Sequence, residues 1–193
     1  MKVGVLTSSR ADFGIYMPLL QKMRDDSFFT LEIIVFGTHL SVFHGNTVNE
    51  IELERFDVIH RLNCMLVGDD ENSITTAYGL TVLKFGEFWQ NQKYDIVLCL
   101  GDRYEMAAAV QAGIPFGVCF GHIHGGETTL GAIDNIYRHQ ISLASKLHFP
   151  AADIFASKIK ILIENTDNVY SVGSLSVSDV CNMELESEAS FRN

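Results

Sequence analysis

Apolar positions fall into two alternating rhythms along the chain. Nearly continuous apolar runs stand at 3–6, 31–36, 94–100 and 116–120, each closed by glycine or polar residues. Runs of that length predict buried strands. The run at 94–100, YDIVLCL, is apolar almost throughout, which suits a strand covered on both faces. Weaker strands are expected at 58–62, where polar residues point to an edge position, and at 147–149 and 168–172. Helical spacing of apolar residues occupies 16–24, 73–89, 105–111, 132–147 and 151–163. A further short helix follows the turn at 45–47 and runs to Arg55. This alternation predicts βαβ units with right-handed crossovers. The expected fold is α/β, a Rossmann-like parallel sheet with helices on both faces.

Composition narrows the picture. A chain of 193 residues, 47% of them apolar, suits one α/β domain and is short for two. Acids outnumber bases 24 to 14, a formal charge of -10, which argues against nucleic acid as a partner. A small anion held by one arginine and a few backbone N–H groups stays compatible with that charge. The four cysteines, Cys64, Cys99, Cys119 and Cys181, show no C-x-x-C spacing and read as reduced thiols of a cytoplasmic protein. The opening residues MKVGVLTSSR read as a first strand and not a signal peptide. No apolar stretch approaches the ~20 residues of a membrane span, so no membrane partner is expected. The first turn lacks G-x-G-x-x-G and no Walker motif is present, so no cofactor is expected.

The densest chemistry lies at 121–140, GHIHGGETTLGAIDNIYRHQ. It follows a predicted strand and opens a predicted helix, at the sheet edge where open α/β folds bind ligands. The loops at 8–12, 101–103 and 121–127, joined by 37–39, each follow a strand and are expected to converge there. Asp102 suits acid/base work, or a cap on the next helix. Glu127 closes a G-G-E turn, where a carboxylate needs solvent or a partner. Asp134 opens a helix and is four residues before Arg138, an ordinary helix pair on spacing alone. His122 and His124 alternate, so in extended chain they share a face and could bind a metal with Glu127. No metal is the preferred reading, with a metal-dependent hydrolase kept as an alternative. His139 and His148 are lone histidines of the kind that is usually structural. Arg10 and Arg103 suit an anionic ligand or surface ion pairs.

Four motifs in order, SSRADFGIYMPLL, GTHLS with a following GNT, LGDRYEMAAA and HIHGGETTLGAIDNIYRH, resemble the UDP-N-acetylglucosamine 2-epimerase family. The likeness covers residues 2 to about 180 and is greatest for the hydrolysing branch, which makes N-acetylmannosamine and UDP for sialic acid synthesis. A related branch takes UDP-2,4-diacetamido-2,4,6-trideoxy sugars towards legionaminic acid. The resemblance implies a GT-B-like architecture of two domains with the site in the cleft. It implies removal of the C2 proton, elimination of UDP to a 2-acetamidoglucal, and addition of water. Asp102, Glu127 and Asp134 take the places of the family's catalytic carboxylates. Glu127 or Asp102 would handle the C2 proton, and Asp134 the added water. Arg10, His39, Arg103, His124, Arg138 and His139 would contact or shape the site for the UDP-sugar, Arg10 at its phosphates. Self-association is implied as well.

Family members run to about twice this length. Residues 1–180 are therefore expected to form the Rossmann-like N-terminal domain and 181–193 a connector towards a second one. Since that domain supplies most nucleotide contacts, little activity is expected from this chain alone. A binding module without turnover is the remaining alternative.

Overall fold

The computed structural model describes residues 1–56 and 59–178. Its six strands are β1 (Lys2–Thr7), β2 (Thr30–Val35), β3 (Ile59–Arg61), β4 (Ile96–Leu100), β5 (Phe120–Ile123) and β6 (Leu147–Phe149). They form one sheet in the order β3-β2-β1-β4-β5-β6, and every neighbouring pair is parallel. Six helices connect or follow them: α1 (Arg10–Arg24), α2 (Val48–Leu53), α3 (Glu71–Asn91), α4 (Tyr104–Gly113), α5 (Asp134–Ala144) and α6 (Asp153–Leu162).

The two-residue period of a strand sorts side chains into two cores. Val3, Val5, Ile33, Val35, Ile96 and Leu98 meet Phe13, Tyr16 and Leu20 of α1 and Val48 and Ile51 of α2. Leu6, Ile34, Val97, Cys99 and Phe120 meet Phe85 and Trp89 of α3, Met106 and Val110 of α4, and Ile141 of α5. The Trp89 indole N–H donates to the Ala109 carbonyl at 3.0 Å, pinning α3 to α4. His122 follows Phe120 by two residues, so it faces the α5 side.

The edge position expected for the third strand holds, over the shorter span of β3. Three expectations shift. Helix α1 starts six residues before the expected start, because Ser9 caps it. The Asp12 N–H donates to Ser9 Oγ at 3.3 Å, and the Ser9 N–H donates back to Asp12 Oδ2 at 3.1 Å. The strand expected at 116–120 is replaced by a 3-10 turn, Ile114–Phe116, closed by Gly117 in the left-handed region. The strand β5 begins only at Phe120. At 168–172 there is a single bridge, His148 to Val169, and no strand. The connector expected at 181–193, its boundary and Cys181 lie outside the described residues. Cys64 and Cys99 are buried and Cys119 partly so, all three as free thiols. Burial pushes the Cys99 thiol up to about 12.

Candidate active site

The carboxyl ends of β4 and β5 are side by side, and their loops are tied together by hydrogen bonds. The Gly101 N–H donates to the Ile123 carbonyl at 3.1 Å. The Gly101 carbonyl accepts from His122 Nε2 at 2.8 Å. Since a carbonyl only accepts, the His122 hydrogen sits on Nε2, and Nδ1 accepts from the Ser142 hydroxyl at 2.9 Å. His122 is fully buried, and that burial holds its pKa down at about 3, so the ring is neutral. Gly101 has φ +78°, a conformation that sends the chain sharply off the strand end towards Asp102.

Asp102 does not cap α4, whose N-cap is Arg103 with no side-chain hydrogen bond. Its Oδ2 instead accepts from Nη2 of Arg138, one turn into α5. The Arg138 side chain is only 7% exposed. Its Nη1 is 3.9 Å from Glu127 Oε2. One buried guanidinium therefore serves both carboxylates, and the helix pair between Asp134 and Arg138 expected from spacing is not formed. Arg138 Nε and Nη1 have no hydrogen-bond partner within the described chain, which leaves two buried donors beside the carboxylates.

Glu127 is also met by His124, whose Nδ1 is 3.4 Å from Oε1. The Leu175 N–H donates to His124 Nε2 at 3.3 Å, so the neutral ring carries its hydrogen on Nδ1, towards Glu127. Burial lowers the His124 pKa, opposed by the Glu127 charge. His124 has φ +62° and lies past the end of β5, so it does not share a face with His122. Both ring nitrogens of His122 are engaged within the fold, which takes it out of any metal set. Among the described residues no group of three or more His, Cys, Asp or Glu side chains could hold a metal ion.

The G-G-E turn is shaped by what lies under it. A Cβ on Gly126, at φ +79°, would meet the Phe155 carbonyl of α6 at 2.5 Å. A Cβ on Gly125 would meet His122 Nδ1 at 2.9 Å. The turn is therefore pressed onto β5, α5 and α6, and Glu127 is its first partly exposed residue.

The other predicted residues fall in two groups. Asp134 stands in the first turn of α5, half-buried, and His139 is exposed on the same helix. Arg103 donates from Nη2 to the buried Glu105 at 2.7 Å, while its Nε is buried without a partner. Arg10 is exposed and ion-pairs with Glu50 at 3.0 Å. His39 is fully buried, with Nε2 2.9 Å from Thr7 Oγ1 and Nδ1 2.7 Å from Thr47 Oγ1. It ties the end of β1 to the segment before α2. The loops expected to converge thus pair off: 101–103 with 121–127, and 8–12 with 37–39, where the Thr38 N–H donates to the Ser8 carbonyl at 2.8 Å. Ser142 and Leu175 escaped the sequence reading. For Ser142 a signal existed, since it follows Arg138 by one helical turn.

The model of the family described as UDP-N-acetylglucosamine 2-epimerase matches residues 21–192. The chain belongs to that family. It is 34% identical over 182 residues to a GDP/UDP-N,N'-diacetylbacillosamine 2-epimerase (hydrolyzing) of Campylobacter jejuni, an alignment covering 94% of this chain and 47% of the relative. It is 32% identical over 184 residues to polysialic acid biosynthesis protein P7 of Escherichia coli, covering 95% and 47%. A crystal structure of a UDP-N-acetylglucosamine 2-epimerase superposes with a TM-score of 0.80 at 17% identity, covering 97% of this chain and 52% of that one. The likeness in fold therefore extends over one half of the epimerase architecture. The chain spans about half the length of the curated relatives it matches. Among the described residues, no helix is long and apolar enough to cross a membrane.

Proposed function

We propose that this chain carries the acid/base half of a hydrolysing 2-epimerase acting on a UDP-linked 2-acetamido sugar. The observation behind the reading is the placement of Asp102 and Glu127 on one buried Arg138 at adjoining strand ends. Asp102 or Glu127 removes the C2 hydrogen as a proton. The C1–O bond to UDP breaks, its electrons leave with UDP, and a C1–C2 double bond forms. Water then adds its hydroxyl to C1, and a proton is delivered to C2 from the other face, giving N-acetylmannosamine. Positioned carboxylates of this kind contribute about 10²–10⁴-fold each. Asp134, at the start of α5, assists the water step. Arg103, His124 and His139 contact the sugar nucleotide, and Arg10 reaches its phosphates from the first turn of α1. His39 holds the neighbouring loop. Self-association and a cytoplasmic location belong to the same proposal.

A second substrate reading rests on the 34% identical relative, whose name gives a diacetylated sugar. In it the UDP-sugar carries a second acetamido group at C4 and lacks the C6 hydroxyl.

Proton NMR in deuterated water tests both. With UDP-N-acetylglucosamine and the second half of a full-length relative supplied, N-acetylmannosamine deuterated at C2 and free UDP are expected, with little of either from this chain alone. Free UDP and the C2-epimeric diacetamido sugar, deuterated at C2, from only the UDP-diacetamido sugar would move the assignment to the second reading. Saturable binding of either sugar nucleotide with no exchange at C2, even with that second half supplied, would replace the enzyme by a binding module.

A further inference from the structure

The structure assigns His122 as the positioning residue of Asp102. Three elements bear the reacting groups: the β4 loop with Asp102, the β5 turn with Glu127, and α5 with Arg138. His122 touches all three supports. Its Nε2–H donates to the Gly101 carbonyl, the peptide that leads directly into Asp102. Its Nδ1 accepts from Ser142, which lies one helical turn beyond Arg138. The same nitrogen would be 2.9 Å from a Cβ on Gly125, so the ring fills the space beneath the G-G-E turn.

The peptide bond between Gly101 and Asp102 is the sensitive point. Gly101 is in the left-handed region, where glycine has freedom to take other conformations. The Gly101 N–H is fixed by the Ile123 carbonyl and the Gly101 C=O by His122, so both polar groups of that residue are clamped to β5. Without the imidazole donor, a part-buried carbonyl is left without its partner and the peptide can rotate to find one. That rotation carries Asp102 away from Arg138. A displacement of about 1 Å in an acid/base group can cost on the order of 10²-fold in rate. The inference rests on the reading that Asp102 serves proton transfer.

Three variants test it in the whole chain. His122→Leu removes both hydrogen bonds. His122→Gln places an amide nitrogen near Nε2. Ser142→Ala removes only the bond to Nδ1 and spares the fold most. Carbon-13 NMR reads the Asp102 carboxyl, and nitrogen-15 NMR reads the His122 tautomer. Turnover of UDP-N-acetylglucosamine and of the UDP-diacetamido sugar reads the chemistry. Expected are hydrogen on Nε2, a moved Asp102 resonance in His122→Leu with its wild-type position regained in His122→Gln, and a smaller movement in Ser142→Ala. Expected in turnover is a fall in kcat of about 30–100-fold for His122→Leu with KM within about threefold, and at least a tenfold recovery in His122→Gln. A melting temperature lowered without change in kcat, or an Asp102 resonance unmoved in all three variants, overturns the assignment. Hydrogen found on Nδ1 overturns it too. If the wild-type chain turns over neither sugar nucleotide even with the second half of a full-length relative supplied, the epimerase reading fails by itself. The Asp102 resonance then still decides the role of His122, by the same two outcomes.

Discussion

Arg138 joins Asp102 to α5 across 36 residues of sequence, and its second terminal nitrogen is directed at Glu127. Two carboxylates that would repel each other at adjoining strand ends are thereby held by one cation in a poorly solvated place. A planar guanidinium suits this better than an ammonium, because its nitrogens point to two acceptors at once. Arg138→Met is expected to destabilise the chain by about 1.5–3 kcal/mol, the range for a hydrogen bond to a charged group. Arg138→Lys keeps the charge but serves one carboxylate at a time, and should regain only part of both stability and activity. Urea unfolding of the three proteins measures the first effect. An Arg138→Met chain as stable as wild type would show the ion pair to be worth nothing.

Glu127→Gln preserves the size of the side chain and its contact with His124 while removing the charge. The expected outcome is a loss of C2 proton exchange of about 10²–10⁴-fold. Sugar-nucleotide affinity, measured by calorimetry, should change by less than about threefold. Unchanged exchange would remove Glu127 from the chemistry, whatever happened to binding.

The buried histidines set the acid limit of stability. Burial depresses the pKa of His122 to about 3, and also lowers those of His39 and His148. In the unfolded chain these rings take up a proton near pH 6.5. Between that pH and the folded values the unfolded state therefore binds more protons, and stability falls as pH falls. The slope from His122 should approach about 1.4 kcal/mol per pH unit at its steepest part, with His39 and His148 adding to it in the same direction. It should be absent above pH 7.5. Urea midpoints from pH 8 to pH 4 check the sign, and His122→Gln should flatten the acid limb.

Two glycines should respond in opposite directions. Gly126→Ala combines a left-handed backbone with a 2.5 Å approach to the Phe155 carbonyl, and should cost about 2–4 kcal/mol. Gly14 is exposed on α1, and nothing lies within 4 Å of the position its Cβ would take. Gly14→Ala should stabilise the chain by about 0.5–1 kcal/mol. Thermal melts of both variants check the pair, and a destabilised Gly14→Ala would contradict the open surface on α1.

The sheet and its helices were legible because strand burial and helix spacing are local patterns, as in the run IVLCL and in Phe85 and Trp89. The start of α1 was missed although S-x-x-D at Ser9–Asp12 announced it, since a cap is polar and resembles a loop. The run 116–120 misled because Phe116 closes an exposed 3-10 turn and Gly117 turns the chain, so apolar character there does not mark sheet pairing. At the site, the gathering of Asp102 and Glu127 followed from strand ends alone. That Arg138 would turn to Asp102 and not to Asp134 could not, because the choice depends on how α5 sits against β4. The same holds for His122, whose H-x-H spacing suggested a ligand while its surroundings make it a hydrogen-bonded core ring.

Strand β1 stands between β2, which begins at residue 30, and β4, which begins at residue 96. On a ribosome, the partner on one side is available early and the partner on the other only after some sixty more residues have emerged. Until then Val3 to Val5 present a bare hydrogen-bonding edge, open to another nascent chain. Closing that edge also brings in the β4 loop, so Asp102 arrives in place only when the sheet's two halves join. That distant pairing raises the contact order, which slows folding, and a slower synthesis rate upstream of residue 96 prolongs the interval in which misassembly competes.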